Sequence, residues 1–216
     1  MLLVNRLCGF GVGGGAGTLA FVTSANSTAQ NVTCPTVEAG DLLVLLDRGQ
    51  GSGGTPPAAV VPTNFSIIDN RAAGIARQVL SYKIAVGNEE GTSLTGMNGS
   101  TSNRKILAVF RQTPAATAAT PQNATGEATS GNPAAQVVGA SAGAVPLVVI
   151  GAYGSDLTVD PRTMSPAKDA EILNQPGGSN IVLAYKIYNA APADVSVDMD
   201  DESNLNILQS CYITCS

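Results

Sequence analysis

Two segments 103 residues apart carry almost the same five residues, Leu80-Ser81-Tyr82-Lys83-Ile84 and Leu183-Ala184-Tyr185-Lys186-Ile187. Both alternate in polarity with the period of two that marks a β-strand. The match extends outward. Before each lies a short apolar run, Leu42–Leu46 and Val145–Ala152. After each comes a short alternating stretch, Thr92–Thr95 and Asp194–Asp198, and then a longer apolar one, Lys105–Arg111 and Leu205–Ile213. A period near one hundred residues is too long for a solenoid. It fits two comparable halves of one β-protein, or two small sandwiches in tandem.

Each half offers about five strands, and two Greek-key-like halves close naturally into a sandwich of eight to ten strands. The expected fold is therefore all-β, an antiparallel jelly-roll-like β-sandwich with an internal pseudo-repeat and little helix. Residues 18–216 are expected to form a single domain, with halves at about 18–111 and 135–216. Shorter strands are expected at Leu19–Thr23, Gln30–Cys34, Phe65–Ile68 and Asp156–Val159, and a long one at Ile75–Val86. The Ala/Thr/Pro/Gln-rich stretch 112–134 shows no periodicity and is expected to be a crossover without regular structure. Pro166–Leu173 is the best helical candidate, with proline at its start.

Residues 9–17 read Gly-Phe-Gly-Val-Gly-Gly-Gly-Ala-Gly. That density of glycine costs too much backbone entropy to hold a regular element. Residues 1–17 are thus expected to be a flexible arm, a short apolar segment on a glycine tether. The run lacks the Gly-Lys-Ser/Thr ending of a phosphate loop. Met1–Leu7 carries its one charge, Arg6, inside the apolar stretch, which is not the pattern of a signal peptide.

Charged residues make up 12% of the chain against 44% hydrophobic, where a globular domain usually carries roughly 25% charged. The net charge is −5, and no Lys/Arg cluster stands ready to neutralise phosphates, so no nucleic acid is expected as a partner. No apolar run approaches the roughly 20 residues that span a bilayer, so no membrane is expected either. A surface so poor in charge suits contact with other protein surfaces.

The chemistry available is thin. The chain has no histidine, the commonest general base and metal ligand, and no tryptophan. One acidic cluster, Asp198, Asp200, Asp201 and Glu202, offers oxygen ligands for Ca²⁺, but its spacing is not that of an EF-hand and a solvated turn between two strands is the favoured reading. A second acidic stretch, Asp156, Asp160, Asp169 and Glu171, is where a hydrolase would need to find its carboxylate pair. Four cysteines, Cys8, Cys34, Cys211 and Cys215, permit a Cys₄ zinc site or a Cys8–Cys215 or Cys34–Cys211 contact, but buried free thiols are the favoured reading. No catalytic residue and no cofactor is assigned.

Three stretches carry a resemblance: Gly40-Asp41-Leu42-Leu43-Val44-Leu45-Leu46, then Ser81-Tyr82-Lys83-Ile84-Ala85-Val86-Gly87-Asn88-Glu89, then Ile106-Leu107-Ala108-Val109-Phe110-Arg111. Together they resemble β-sandwich virion structural proteins of tailed bacteriophages and gene-transfer particles, closely over residues 38–111 and loosely beyond. The resemblance implies a non-enzymatic role on a particle, as a head decoration or cement protein or a tail-surface component assembled in a bacterial host cytoplasm. Its partners would be major capsid or tail proteins and other copies of itself, for instance as a trimer. The alternative is a receptor- or glycan-binding module of a tail fibre or adhesin.

Overall fold

A computed structural model describes residues 17–156, 162–175, 179–199 and 205–216. Among these residues every regular element is a β-strand. The first half contributes β1 (Thr18–Ser27), β2 (Asn31–Thr33), β3 (Leu42–Gln50), β4 (Ser66–Ala73), β5 (Ala76–Ile84), β6 (Ser93–Thr95) and β7 (Ser102–Thr113). The second contributes β8 (Ala119–Thr129), β9 (Gln136–Val138), β10 (Leu147–Ser155), β11 (Arg162–Ser165), β12 (Ala170–Asn174), β13 (Asn180–Tyr188), β14 (Val195–Met199) and β15 (Asn206–Cys215).

The large sheets of the two halves repeat each other strand for strand. One five-stranded sheet has the order β1-β7-β3-β5-β4, and the other has β8-β15-β10-β13-β12 when read from its β8 edge. Two smaller sheets complete the pattern, β2-β6 in the first half and β9-β14-β11 in the second. Each half packs a small sheet on a large one, and the chain crosses to the small sheet at β2 and β6 in the first half and at β9, β11 and β14 in the second, a jelly-roll-like arrangement. Even a local irregularity recurs, since the β1–β7 and β8–β15 ladders each shift register mid-strand.

The layers stack small, large, large, small, around three cores. Leu42, Val44 and Leu46 of β3 and Phe110 of β7 join Val148 and Ile150 of β10 and Leu183 of β13 in the central core. The intervening residues, Leu43 and Leu45 of β3 and Leu107 and Val109 of β7, pack instead with Val32 and Leu94 of the small sheet. In the second half Val149 and Tyr153 of β10 pack with Val138, Val195 and Val197. Both apolar runs, in β3 and β10, are thus buried on two faces, as unbroken hydrophobic strands require. The ten-strand central sandwich takes one sheet from each half, and each half in addition covers its own outer face.

An approximate twofold relates the halves. Edge strand β1 lies beside β12, and its counterpart β8 lies beside β4, the counterpart of β12. These edges are closed by side chains. The Leu19 amide donates to Asn189 Oδ1 at 2.6 Å while Asn189 Nδ2 donates to Leu19 O at 3.1 Å. Asn174 Nδ2 donates to the carbonyls of Ser27 and Lys105. A carboxamide here takes the place of a neighbouring strand's peptide group.

Two expectations from sequence are corrected. The stretch 112–134 is not without regular structure, because it holds β8, which pairs along nearly its whole length with β15. Its Ala/Thr/Gln/Asn side chains carry no polarity contrast, and an edge strand half open to water needs none. Pro166–Leu173 is not a helix. Ala170–Asn174 pairs with β13, and there the ladder outweighs a modest helical preference.

Candidate functional site

The residues that carry the resemblance hold one end of the first half together. Gly40, at a φ of +90°, turns the chain into β3 where a side chain would be strained. Asp41 then meets Arg111 at the end of β7. Arg111 Nε and Nη2 each donate to one carboxylate oxygen at 2.8 Å, while Nη1 donates to Glu38 at 2.7 Å. A bidentate pair of this kind fixes geometry as well as charge.

The second motif closes on itself in the same way. Glu89 is nearly buried and accepts hydrogen bonds from Lys83 Nζ at 2.6 Å and from the backbone amides of Val86, Gly87 and Asn88. Burial alone would raise the Glu89 carboxyl. The Lys83 ammonium and the converging amides outweigh it and hold the group at about 2. Lys83 is thus held against its own turn. Lys186 pairs with Asp169 at 3.1 Å, so the second half makes the same kind of latch from a different carboxylate.

Two further polar groups lie deep inside. Asp47 and Lys105 face each other across β3 and β7, 2.5 Å apart and shielded from water. Met97 donates its amide to Asp47 and accepts from Lys105. Burial pushes the Asp47 carboxyl up and the Lys105 ammonium down, and their attraction opposes both. Gly96 makes room for the pair, because a Cβ there would fall 2.0 Å from an Asp47 oxygen.

The second group spans the halves. Arg48, fully buried on β3, donates to Asp156 at 3.1 Å, to Leu205 O at 2.8 Å and to Ser179 at 3.3 Å. Gln50 also donates to Asp156. Gln78 of β5 donates to Ala152 O and Gln209 Oε1, and Gln209 donates to Asp69. Sequence reasoning missed this seam. Arg48 and Gln78 read as polar strand residues until a second half is laid over them, and only the unexpected charge beside an apolar run hinted otherwise.

The acidic candidates are dispersed. Asp156 belongs to the seam, Asp169 to Lys186, and Glu171 to Arg162 at 2.5 Å and Lys168 at 2.9 Å. Asp160 lies outside the described residues, as do Asp200, Asp201 and Glu202 of the Ca²⁺ candidate. Asp198 sits on β14 opposite Thr163. Among the described residues no group of three or more potential ligands gathers around one point.

The cysteines divide between two cores. Cys34 belongs to the outer core of the first half, and Cys211 and Cys215 to the central core. A sheet therefore separates Cys34 from Cys211, which rules out the pairing considered for them and a zinc site drawing on both. All three are free and buried. Burial raises the Cys34 thiol to about 11 and those of Cys211 and Cys215 to about 12, so none is a thiolate nucleophile near neutrality. Cys8 lies outside the described residues.

Among the described residues, grooves open to solvent lie at two places on the first half. One, of about 410 Å³, is polar and runs between Thr28 and residues 99–104. The other, of about 350 Å³, is more apolar and separates Val60–Thr63 from β6. Val60, Ile67, Val86, Val137 and Leu173 are the most exposed large apolar side chains on the described surface. No family model matches the chain, and comparison with curated proteins and with solved structures likewise finds no match.

Proposed function

We propose that the chain is a non-enzymatic structural protein of a tailed-phage-type virion, a head decoration or cement protein or another capsid- or tail-surface component. On this reading it stabilises the particle through protein–protein contacts and associates with copies of itself. The observation that carries it is where the resemblance residues lie. Asp41, Lys83, Glu89 and Arg111 are all engaged in internal ion pairs, which supports a scaffolding role for the resembling stretches. The sparsely charged surface with scattered exposed valines supports contact with protein over contact with nucleic acid.

The test is co-sedimentation of the purified chain with empty capsids and, separately, with tails of a candidate host phage. Saturable binding to either supports the reading, and binding to neither sinks it. A second reading, recognition of a host glycan, draws on the polar groove at Thr28 and residues 99–104, whose hydroxyl, amide and guanidinium groups suit a sugar's hydroxyls. Retention on a glycan array, lost on Asn103→Ala, would favour it.

A further inference from the structure

The two small sheets are equivalent but unequal. In the second half β14 is paired on both edges, by β9 on one side and by β11 on the other. In the first half its counterpart β6 is paired only by β2. The β2 side uses Thr92 O, which accepts from Cys34 N at 2.9 Å, and Gly96 N, which donates to Gln30 O at 3.2 Å. Antiparallel alternation then assigns Leu94 to β2 as well, and turns the peptide groups of Ser93 and Thr95 toward the other edge.

That edge has no strand among the described residues. The segment joining β3 to β4, residues 51–65, corresponds to the segment that holds β11. It carries Pro56, Pro57 and Pro62, which have no amide hydrogen to give a ladder. Instead of pairing, it leaves the groove of about 350 Å³ between Val60–Thr63 and Ser93–Thr95. An open edge beside an apolar wall is a template for strand addition.

The chain's own first residues have the composition and the reach to fill it. Residues 1–7 are apolar apart from Asn5 and Arg6, and the groove lining carries no charge. Gly17 packs against Thr113 and Gln112, at the end of the large sheet where β6 also begins. Between them lie about three strand spacings of roughly 4.8 Å and one layer of roughly 10 Å. The nine residues 8–16 span up to about 30 Å when extended.

We propose that residues 2–7 add to the free edge of β6 in the same molecule as a third strand, filling the groove beside Val60, Val61 and Leu94 as β11 fills the matching edge of the other half. The proposal is independent of the virion reading. It is tested by amide hydrogen exchange, followed residue by residue by NMR, on the full chain, on Leu3→Asp and on a chain lacking residues 2–7. The Ser93 and Thr95 amides are expected to exchange at least about tenfold more slowly in the full chain than in either variant. The Leu94 amide, bonded to β2, should stay equally slow in all three and so report that the fold is intact. Equal exchange of Ser93 and Thr95 in the three proteins would overturn the proposal. So would protection that fades on dilution, which would place the segment in a neighbouring molecule.

Discussion

Arg48 Nη2 lies 3.1 Å from Asp156 Oδ1, an ion pair that ties β3 of one half to the end of β10 in the other. The guanidinium is fully buried while the carboxylate keeps contact with water. The two partners are therefore unequal. Removing the cation leaves Leu205 O and Ser179 without a donor inside the seam, whereas removing the anion leaves Arg48 its other partners. Arg48→Ala is expected to cost about 3–5 kcal/mol and Asp156→Asn about 1–2 kcal/mol, measured as shifts in guanidinium unfolding midpoints. Equal costs would show that the pair, and not the wider seam, carries the energy.

Glu89 makes stability depend on acid. Its carboxyl sits at about 2 in the folded chain and near 4.5 when unfolded. The folded state therefore binds the proton less tightly, and its advantage is complete above about pH 4.5 and is lost as the pH falls toward 2. The difference corresponds to about 3 kcal/mol. Other carboxylates titrate in the same window, so the measurement is the gap between wild type and Glu89→Gln in unfolding free energy. That gap should be widest at neutral pH and close as the pH approaches 2.

Much of this fold is written in residue pattern, and the reason it stops is physical. The central strands β3 and β10 announce themselves because the runs Leu42–Leu46 and Leu147–Ile150 are buried on both faces and must be apolar, and β13 does so by the Tyr-Lys-Ile stretch it shares with β5. β8 does not, since an edge strand of Ala, Thr, Gln and Asn draws its order from the ladder to β15 and from β4 beside it, which its own residue pattern does not announce. The motif residues Asp41, Glu89 and Arg111 were visible from the start, but not what they do. A carboxylate beside a strand reads the same whether it latches its own turn or meets a ligand. Arg48 and Gln78 were hidden for a different reason, because their burial depends on a sheet more than seventy residues away in sequence.

The thiols offer a chemical test of the layering. Cys34, Cys211 and Cys215 are buried, and their raised thiol ionisation leaves almost no thiolate at pH 8. In a Cys8→Ser chain, a thiol reagent is expected to label none of the three in native buffer and all three in denaturant. Rapid native labelling of Cys211 would mean that the central core opens readily between the halves.

The repeated tyrosines are equivalent in register but not in surroundings. Tyr82 pairs with Val44 across β5 and β3, and Tyr185 pairs with Ile150 across β13 and β10. Tyr185 is almost fully buried, stacked on Phe21 at 5.2 Å and edge-on to Phe110 at 5.2 Å, so it packs against rings from the other half. Tyr82 is only partly buried against the same core, and no ring contact is made to it among the described residues. Tyr185→Leu loses two aromatic contacts and leaves a cavity beside Phe21, while Tyr82→Leu keeps most of its packing. The first is expected to cost about 2–4 kcal/mol and the second about 1 kcal/mol or less. Phe21→Leu should reproduce part of the Tyr185 effect, and the two should be strongly non-additive in a double-mutant cycle. Additive costs would mean that the stack contributes nothing beyond the area each ring buries alone.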